Sequence, residues 1–293
     1  MGDRDEHDLG LAHDLRVMGR RRALRFFGAA GAAAGAAVLT GCASDAAPNG
    51  AAASTTTTGT TSAPPVAPTE TAGPYPGDGT NGPNVLIESG VVRQDLTTSF
   101  GAYSGVAEGV PATIELTLVD LLRGAPGADM AVYLWQCDRE GRYSLYSSGV
   151  EQQNYLRGVQ VADAAGTVRF TSIFPACYEG RWPHFHFEVY DSLTTAVAGS
   201  NARLTSQIAL PQEACEQVYT YDSGYRDSTA NLARVSLSSD YVFGDGWDAE
   251  LATVTGTPAD GMAVTLTIGV GEAKAAPVLD PDAFHGQGTA PPP

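Results

Sequence analysis

Apolar and polar residues alternate along most of residues 70–276, and this period of two constrains the fold more than any other feature. In the run "ATIELTLVDL" (112–121), Ile114, Leu116 and Leu118 share one face. Similar runs follow between turn-forming residues: "DMAVYLWQCD" (129–138), "GTVRFTSIF" (166–174), "HFHFEVYD" (184–191), "RLTSQIAL" (203–210) and "MAVTLTIGV" (262–270). The best helix candidate is "PQEACEQVYTY" (211–221). Many short strands separated by turns predict an all-β, antiparallel β-sandwich with few short helices.

The first 42 residues predict an export signal rather than part of the fold. "GRRRALRFF" (19–27) is followed by an Ala/Gly-rich apolar run of 14 residues, 26–39. A membrane span needs about 20 apolar residues, so this run suits a signal peptide. The arginines resemble a twin-arginine signal, and "LTGC" (39–42) resembles a lipobox in which Cys42 would be lipid-modified. An ordinary secretory signal with a cysteine near its cleavage site is the alternative.

Two further segments have compositions that are typical of disorder. Residues 43–69 are rich in Ala, Ser, Thr and Pro, and residues 277–293 end in "HGQGTAPPP". Such segments bury too little apolar surface to fold, so we expect a tether before the domain 70–276 and a tail after it. We therefore expect an extracytoplasmic lipoprotein, anchored to the cell membrane only through its N-terminal lipid.

The charge of the chain argues against a nucleic-acid partner. The net charge is −16, and the part after Cys42 carries 11 basic and 28 acidic residues, or −17. Binding to a phosphate backbone requires a basic face instead. The sequence does not indicate an oligomeric state.

The short stretch "HFHFEVYD" is also the strongest candidate for chemistry. Residues at i and i+2 of a strand point to the same face, about 6–7 Å apart, so His184 and His186 converge on one side. That geometry suits two ligands of one metal ion. Taken alone, the pattern fits equally well two core or surface histidines that form ordinary hydrogen bonds.

Two tyrosines near this strand and its neighbour extend the candidate site. Tyr178 precedes the two histidines, and Tyr143 follows the strand that contains Trp135. Two phenols and two imidazoles form an N2O2 donor set, and anionic phenolate oxygens favour a hard cation such as Fe(III). Tyr146 is the nearest alternative to Tyr143.

The order and spacing of these motifs resemble the intradiol ring-cleavage dioxygenases, the family that includes catechol 1,2-dioxygenase and protocatechuate 3,4-dioxygenase. The family patterns W-x-[AC]-[ND]-x-x-G-x-Y-S and Y-x-x-R-x-x-H-x-H match "WQCDREGRYS" (135–144) and "YEGRWPHFH" (178–186). Four further matches run in the family's order: "TETAGPYP" (69–76), "RGVQVAD" (157–163), "FTSIFP" (170–175) and "TSQIAL" (205–210). The export signal and the short Tyr–Arg spacing resemble an exported subgroup of this family.

This resemblance implies a ligand set and a reaction. Tyr143, Tyr178, His184 and His186 would bind Fe(III), with Tyr178 as the axial ligand. A catechol-type aromatic diol would displace Tyr178, which acts as a base, and O2 would cleave the ring to a cis,cis-muconate-type product.

The resemblance also assigns roles to neighbouring residues. Arg181 would stabilise charge that develops on the substrate, although a surface arginine paired with Glu179 or Glu188 is the alternative. Gln207 would orient Arg181, or is an ordinary strand residue. The substrate pocket would be lined by Gly73, Pro74, Tyr75 and Trp182, which otherwise form a plain turn and a surface tryptophan.

Three cysteines follow Cys42, and in an exported protein they allow at most one disulfide. The strand "TSQIAL" should return antiparallel to "HFHFEVYD" and bring Cys215 near Cys177, so we expect these two to pair and Cys137 to be buried. Two other functions stay open. One is a non-catalytic β-sandwich lipoprotein that binds a ligand, and the other is a zinc hydrolase that uses His184 and His186.

Overall fold

The computed structural model describes residues 63–277 of the 293-residue chain. The expected export signal with Cys42, most of the expected tether and the tail from residue 278 onward lie outside these residues. No helix within residues 63–277 has the length and apolar character to cross a membrane.

The described chain consists mainly of β-strands, as the alternation predicts. The strands are β1 (Pro111–Asp120), β2 (Ala125–Pro126), β3 (Ala131–Trp135), β4 (Arg157–Val161), β5 (Thr167–Ile173), β6 (His184–Tyr190), β7 (Leu204–Ala209), β8 (Thr253–Thr257) and β9 (Gly261–Val270). The helices are α1 (Leu193–Val197), α2 (Gln212–Tyr221) and α3 (Ser228–Leu232), with 3₁₀ turns at Leu237–Ser239 and Phe243–Asp245. The predicted helix is α2, with Pro211 as its N-cap residue.

The strands form two sheets, which confirms the sandwich architecture. One sheet has the order β2-β1-β9-β8, with β5 also paired to β1, and the other has the order β4-β3-β6-β7. Ile114, Leu116 and Leu118 of β1 are fully buried, as their alternation predicts. Pairing is antiparallel except between β1 and β9, which run parallel.

The start of the domain differs from the sequence-based boundary. Val66 forms a bridge with Gly269 of β9, and the backbone N–H of Ala67 donates to the Gly269 carbonyl at 2.9 Å. Ala67 is buried. The last residues of the segment expected to be a tether therefore pack on the domain, because an edge position beside β9 satisfies their backbone groups.

Strand β6 lies in the middle of its sheet, between β3 and β7. All seven of its side chains are buried. In register, His186 lies between Trp135 of β3 and Gln207 of β7. The centre of the sheet thus fixes His186 between two paired neighbours and His184 beside Ala209 of β7. The loops that follow β3 and precede β6 lie at the same end.

Candidate metal centre

The two histidines of β6 converge as the strand period predicts. Their Nε2 atoms lie 3.1 Å apart, and both side chains are buried. The Trp135 indole stacks on the His186 ring at a centroid distance of 5.0 Å and an interplanar angle of 6°. This stacking fixes the plane of the His186 imidazole, because a flat indole in the neighbouring strand leaves no room for the ring to rotate.

Both candidate tyrosines reach the histidines from loops. The Tyr143 hydroxyl lies 3.1 Å from His186 Nε2, and the Tyr178 hydroxyl lies 3.3 Å from His184 Nε2. The two hydroxyls are 3.4 Å apart. Together with the contact between the imidazoles, these distances close a ring of two oxygens and two nitrogens, which we call the donor ring.

The spacing of the donor ring fits a single metal ion. Protein nitrogen and oxygen ligands bind first-row ions at about 2 Å, and donors at nearly right angles then lie about 3 Å apart. His184 Nδ1 contacts the Trp182 carbonyl oxygen, which assigns the ring proton to Nδ1 and leaves Nε2 as an acceptor. His186 Nδ1 is buried and has no hydrogen-bond partner among residues 63–277.

The electrostatics of the donor ring require a cation before the phenols can ionise. Burial raises the pKa of Tyr143 well above its usual range, and burial does the same to the pKa of Tyr178. Burial lowers the pKa of His184 and His186 well below the usual range, so both imidazoles are neutral and can act as ligands. Four neutral donors around one point suit a metal that displaces the phenol protons as it binds.

The donor types favour iron over zinc. Between residues 63 and 277 no group of three or more His, Cys, Asp or Glu side chains could hold a metal ion. Structural and catalytic zinc sites draw mainly on those residue types. The residues around the donor ring therefore fit a hard, high-valent ion better than Zn(II).

Tyr146, the nearest alternative to Tyr143, is engaged elsewhere. Its hydroxyl accepts a hydrogen bond from the Gly77 N–H at 2.9 Å. Tyr143, by contrast, is 1% exposed and points into the donor ring.

Arg181 is buried beside the donor ring rather than at the surface. Its Nε donates to Asp240 Oδ2 at 2.9 Å, and its Nη2 donates to Gln207 Oε1 at 2.7 Å. The expected proximity of Gln207 and Arg181 is therefore present, whereas the alternative pairing with Glu179 or Glu188 is not. Gln207 in turn donates to the Thr71 carbonyl at 3.0 Å, which links Arg181 to the segment before Gly73.

The segment of residues 73–75 lies against the donor ring. Gly73 has φ +75°, and a Cβ atom at this position would lie 3.0 Å from His186 Cε1. Glycine is thus the residue that permits both the backbone conformation and the close approach. The Tyr75 ring packs at 5.2 Å from the Tyr143 ring, and the Pro74 carbonyl accepts a hydrogen bond from Asn81.

The structure corrects the expectation for Trp182. Its side chain is buried, and the indole Nε1 donates to the Leu210 carbonyl at 2.8 Å. A tryptophan whose polar atom is satisfied inside the core does not line the mouth of a pocket. Trp182 instead packs the loop before β6 against the end of β7.

The structure also corrects the expected disulfide. Strands β6 and β7 are antiparallel as predicted, but Cys177 and Cys215 are both free and buried, as is Cys137. Cys177 Sγ contacts the Arg181 carbonyl at 3.4 Å instead. Burial raises the pKa of all three thiols, so they remain protonated and unreactive near the donor ring.

Arg157, which sequence reasoning missed, joins two loops of the site. This fully buried side chain donates to the carbonyls of Tyr75 and Pro76, at 2.9 and 3.0 Å, and to both the hydroxyl and the carbonyl of Ser144, each at 3.0 Å. No carboxylate in the described part of the chain pairs with it. Its position in the "RGVQVAD" motif was the available signal, but only the fold brings these loops to one guanidinium.

Asp240 and Tyr241 were also missed, and both contact Arg181. Asp240 is 1% exposed, and the Arg181 guanidinium lies 4.5 Å from the centre of the Tyr241 ring. The Phe243 ring, from the same turn, lies 6.4 Å from the His184 ring. A lone acidic residue in an irregular segment carries no periodic signal, so the sequence does not single it out.

Comparisons with known proteins show which sequences and folds this chain resembles. Residues 81–207 match the family model Dioxygenase_C, described as Dioxygenase. The intradiol ring-cleavage dioxygenase of Tetranychus urticae is 22% identical, with a TM-score of 0.56 over 72% of this chain and 97% of its own. The dioxygenase Tetur07g02040 is also 22% identical, with a TM-score of 0.57 over 73% of this chain and 98% of its own.

A third solved structure, the dioxygenase domain of a carbohydrate-binding fusion protein from Streptomyces sp. SirexAA-E, is 20% identical over 71% of this chain and 100% of its own, with a TM-score of 0.44. No curated protein sequence matches this chain. The first two structures share the fold, and the family-model match spans Tyr143, Tyr178 and both histidines. The chain therefore has the fold of the intradiol ring-cleavage dioxygenases, and its residues 81–207 match the Dioxygenase_C family model.

Proposed function

We propose that this protein uses Fe(III) to cleave a catechol-type aromatic diol with O2 between its two hydroxyl-bearing carbons, which gives a cis,cis-muconate-type product. The donor ring carries this proposal, because two phenols and two imidazoles meet at spacings of 3.1–3.4 Å. When bound, Fe(III) supplies a Lewis acid that binds the diol and makes its ring electron-rich toward O2.

The four donors differ in how easily a substrate reaches them. Tyr143, His184 and His186 are no more than 3% exposed, whereas Tyr178 is partly exposed. The three buried side chains hold the ion in place. With a metal ion bound, Tyr178 in its phenolate form would be the ligand most accessible to a diol, and its oxygen would be the base that takes one proton from the diol.

Arg181 supports the reaction through its charge. Its guanidinium is 4% exposed, and a positive charge in a water-poor site acts strongly on nearby negative charge. The ionised diol and the ring during attack by O2 carry that negative charge. Gln207 and Asp240 hold the guanidinium so that little reorganisation is needed during the reaction.

Gly73, Pro74 and Tyr75 are proposed to line the substrate pocket. Gly73 leaves space in front of His186, and Tyr75 offers an aromatic surface next to Tyr143. A diol bound at the donor ring would contact these residues by ring stacking.

The two rival functions lack comparable support. A ligand-binding lipoprotein has no need of a buried arginine next to four convergent metal donors. A zinc hydrolase needs a third His, Cys or carboxylate ligand, and residues 63–277 offer no such group.

The decisive experiment is a visible absorption spectrum of the iron-loaded protein, followed by addition of catechol in air. Tyrosinate-to-Fe(III) charge transfer should give a broad visible band that shifts with catechol, and muconate absorbance should then appear. A protein that binds iron without such a band would refute the ligand set. A band without muconate would refute catechol cleavage and direct attention to other aromatic diols.

We also propose that the protein is exported and anchored to the cell membrane through a lipid on Cys42. The arginines and the "LTGC" motif support this localisation. Metabolic labelling with a radioactive fatty acid, compared between the natural chain and Cys42→Ala, tests it. Equal labelling of both forms would refute the anchor.

A further inference from the structure

The turn of residues 240–243 lies beyond the matched residues 81–207 and outside the motifs, yet it contacts the site at three points. Asp240 binds Arg181, Tyr241 covers Arg181, and Phe243 packs near His184. We infer that Asp240 is a positioning residue for Arg181 and that Tyr241 shields the same guanidinium from water. This inference rests on the proposed function, because it concerns the residue that stabilises charge on the substrate.

The carboxylate of Asp240 is fully used within the protein. Oδ2 accepts hydrogen bonds from Arg181 Nε at 2.9 Å and from the Trp182 N–H at 2.7 Å. Oδ1 accepts from the N–H groups of Val242 and Phe243, at 2.9 and 3.2 Å. Arg181 Nη2 adds a longer contact of 3.4 Å to Oδ1. Five N–H donors from two separate segments therefore fix this carboxylate, and it ties the turn to the loop that precedes β6.

The same contacts orient the guanidinium of Arg181. Asp240 holds Nε, and Gln207 holds Nη2. Nη1 makes only a long contact of 3.4 Å to the Tyr241 hydroxyl among the described residues. Since Nη1 carries two hydrogens, at least one of them is available for a further hydrogen bond.

Tyr241 closes the outer side of this arrangement. Its ring lies over the guanidinium at 4.5 Å, and the side chain is 42% exposed while Arg181 is 4% exposed. One face of the tyrosine therefore meets the arginine and another meets solvent. Removal of the ring would let water reach the guanidinium, and water weakens the effect of its charge on the substrate.

The chain provides a matched control in a second buried ion pair. Asp120 Oδ1 accepts a hydrogen bond from Arg203 Nη2 at 2.6 Å, and both side chains are buried. Arg203 lies just before β7, at the end that pairs with Val189, whereas His184 pairs with Ala209 at the opposite end. Asp120→Asn thus disrupts a comparable ion pair far from the donor ring.

The test compares Asp240→Asn and Asp120→Asn in the iron-loaded protein. For Asp240→Asn we expect kcat to fall about 30-fold or more, because Arg181 loses its orienting carboxylate, while the visible band of the ligated iron stays unchanged. Asp120→Asn should lower the unfolding temperature but leave kcat within about twofold. An Asp240→Asn protein with kcat within threefold of the natural protein would overturn the inference, and so would loss of the visible band.

A second readout does not depend on activity. In the metal-free protein, the NMR signal of Arg181 Nε–H, assigned through its loss in Arg181→Lys, should exchange slowly with solvent. It should exchange rapidly in Asp240→Asn and remain slow in Asp120→Asn. Slow exchange in Asp240→Asn would contradict the assigned role.

Tyr241 variants decide the matter if Asp240→Asn does not fold, because this side chain is partly exposed. We expect kcat to fall about tenfold in Tyr241→Ala and to change less than threefold in Tyr241→Phe, which keeps the ring. Equal kcat in Tyr241→Ala and the natural protein would overturn the shielding role. If the natural protein itself is inert toward aromatic diols, the proposed function fails, whereas the NMR comparison still tests the link between Asp240 and Arg181.

Discussion

Two buried carboxyl groups next to β7 predict that the stability of this protein falls as the pH rises. Glu250 is 1% exposed. Its Oε1 accepts a hydrogen bond from the Ser206 hydroxyl at 3.2 Å, and its Oε2 has no hydrogen-bond partner within the described part of the chain. Burial, and then the charges of Glu70 and Asp245, raise the pKa of Glu250 to about 8. Burial and Asp245 also raise the pKa of Glu70 to about 7.

The sign follows from the two protonation states. In the unfolded chain Glu250 loses its proton near pH 4.5, whereas in the folded protein it keeps the proton up to about pH 8. The contribution of Glu250 to the free energy of unfolding is therefore fully present below about pH 4.5, and it is lost as the pH rises to about 8. At 1.36 kcal/mol for each pKa unit, the loss is at most about 5 kcal/mol, and we expect about 2 kcal/mol because the ionised pair can relax toward water.

Glu250→Gln isolates this effect, because glutamine keeps the shape and one oxygen for Ser206 but carries no titrating proton. Urea unfolding at pH 5 and pH 8.5 gives the free energy of unfolding for both proteins. We subtract the free energy of unfolding of the natural protein from that of the variant at each pH. This difference should be about 2 kcal/mol larger at pH 8.5 than at pH 5. Glu188→Gln is the control: Tyr190 and Thr205 donate to its two oxygens, so it should lose stability at both pH values. An unchanged pH slope in Glu250→Gln would refute the reasoning.

Three further outcomes follow from the site. Gly73→Ala should lower the iron content per chain, because its Cβ would lie 3.0 Å from His186, whereas Gly82→Ala, with a positive φ but no atom within 4 Å, should bind iron normally. Tyr143→Phe should weaken and shift the visible band, because one of the two phenolates is lost; an unchanged band would remove Tyr143 from the ligand set. A thiol reagent should label Cys137, Cys177 and Cys215 only after the protein unfolds, because all three are buried. Labelling of the folded protein would contradict their burial.

Much of the fold could be predicted because burial follows the alternation of residues along each strand. The inward residues of β1 illustrate this, whereas β6 is buried on both faces. The parallel pairing of β1 with β9 could not be predicted, since a period of two gives the face of a strand and not its partner. The pairing of residues 66–67 with β9 could not be predicted for a similar reason, because a short segment between prolines can add to a strand through its backbone alone.

The structure brings together the candidate ligands that stand at fixed spacings in the sequence. Tyr143, Tyr178, His184 and His186 meet because each occupies a motif next to a strand of one sheet. Trp182 and the cysteines show the limit of such reasoning. The indole hydrogen bond of Trp182 and the contact of the Cys177 sulfur with the Arg181 carbonyl depend on tertiary packing, which the neighbouring residues in the sequence do not encode.

The charge around the donor ring is opposite to the charge of the whole chain. The chain carries −16, yet two buried arginines, Arg157 and Arg181, flank the ring. Both contribute to the low pKa of His186, and Arg181 opposes the effect of burial on the pKa of Tyr143 and Tyr178. Asp240 balances Arg181, but no carboxylate among residues 63–277 pairs with Arg157. The fixed positive charge therefore favours the phenolate forms that bind a cation, and it would favour the ionised form of the proposed diol at the same place. The net charge of a strongly acidic chain does not decide the charge of its site, because nearby buried charges act through little water while distant surface charges are screened.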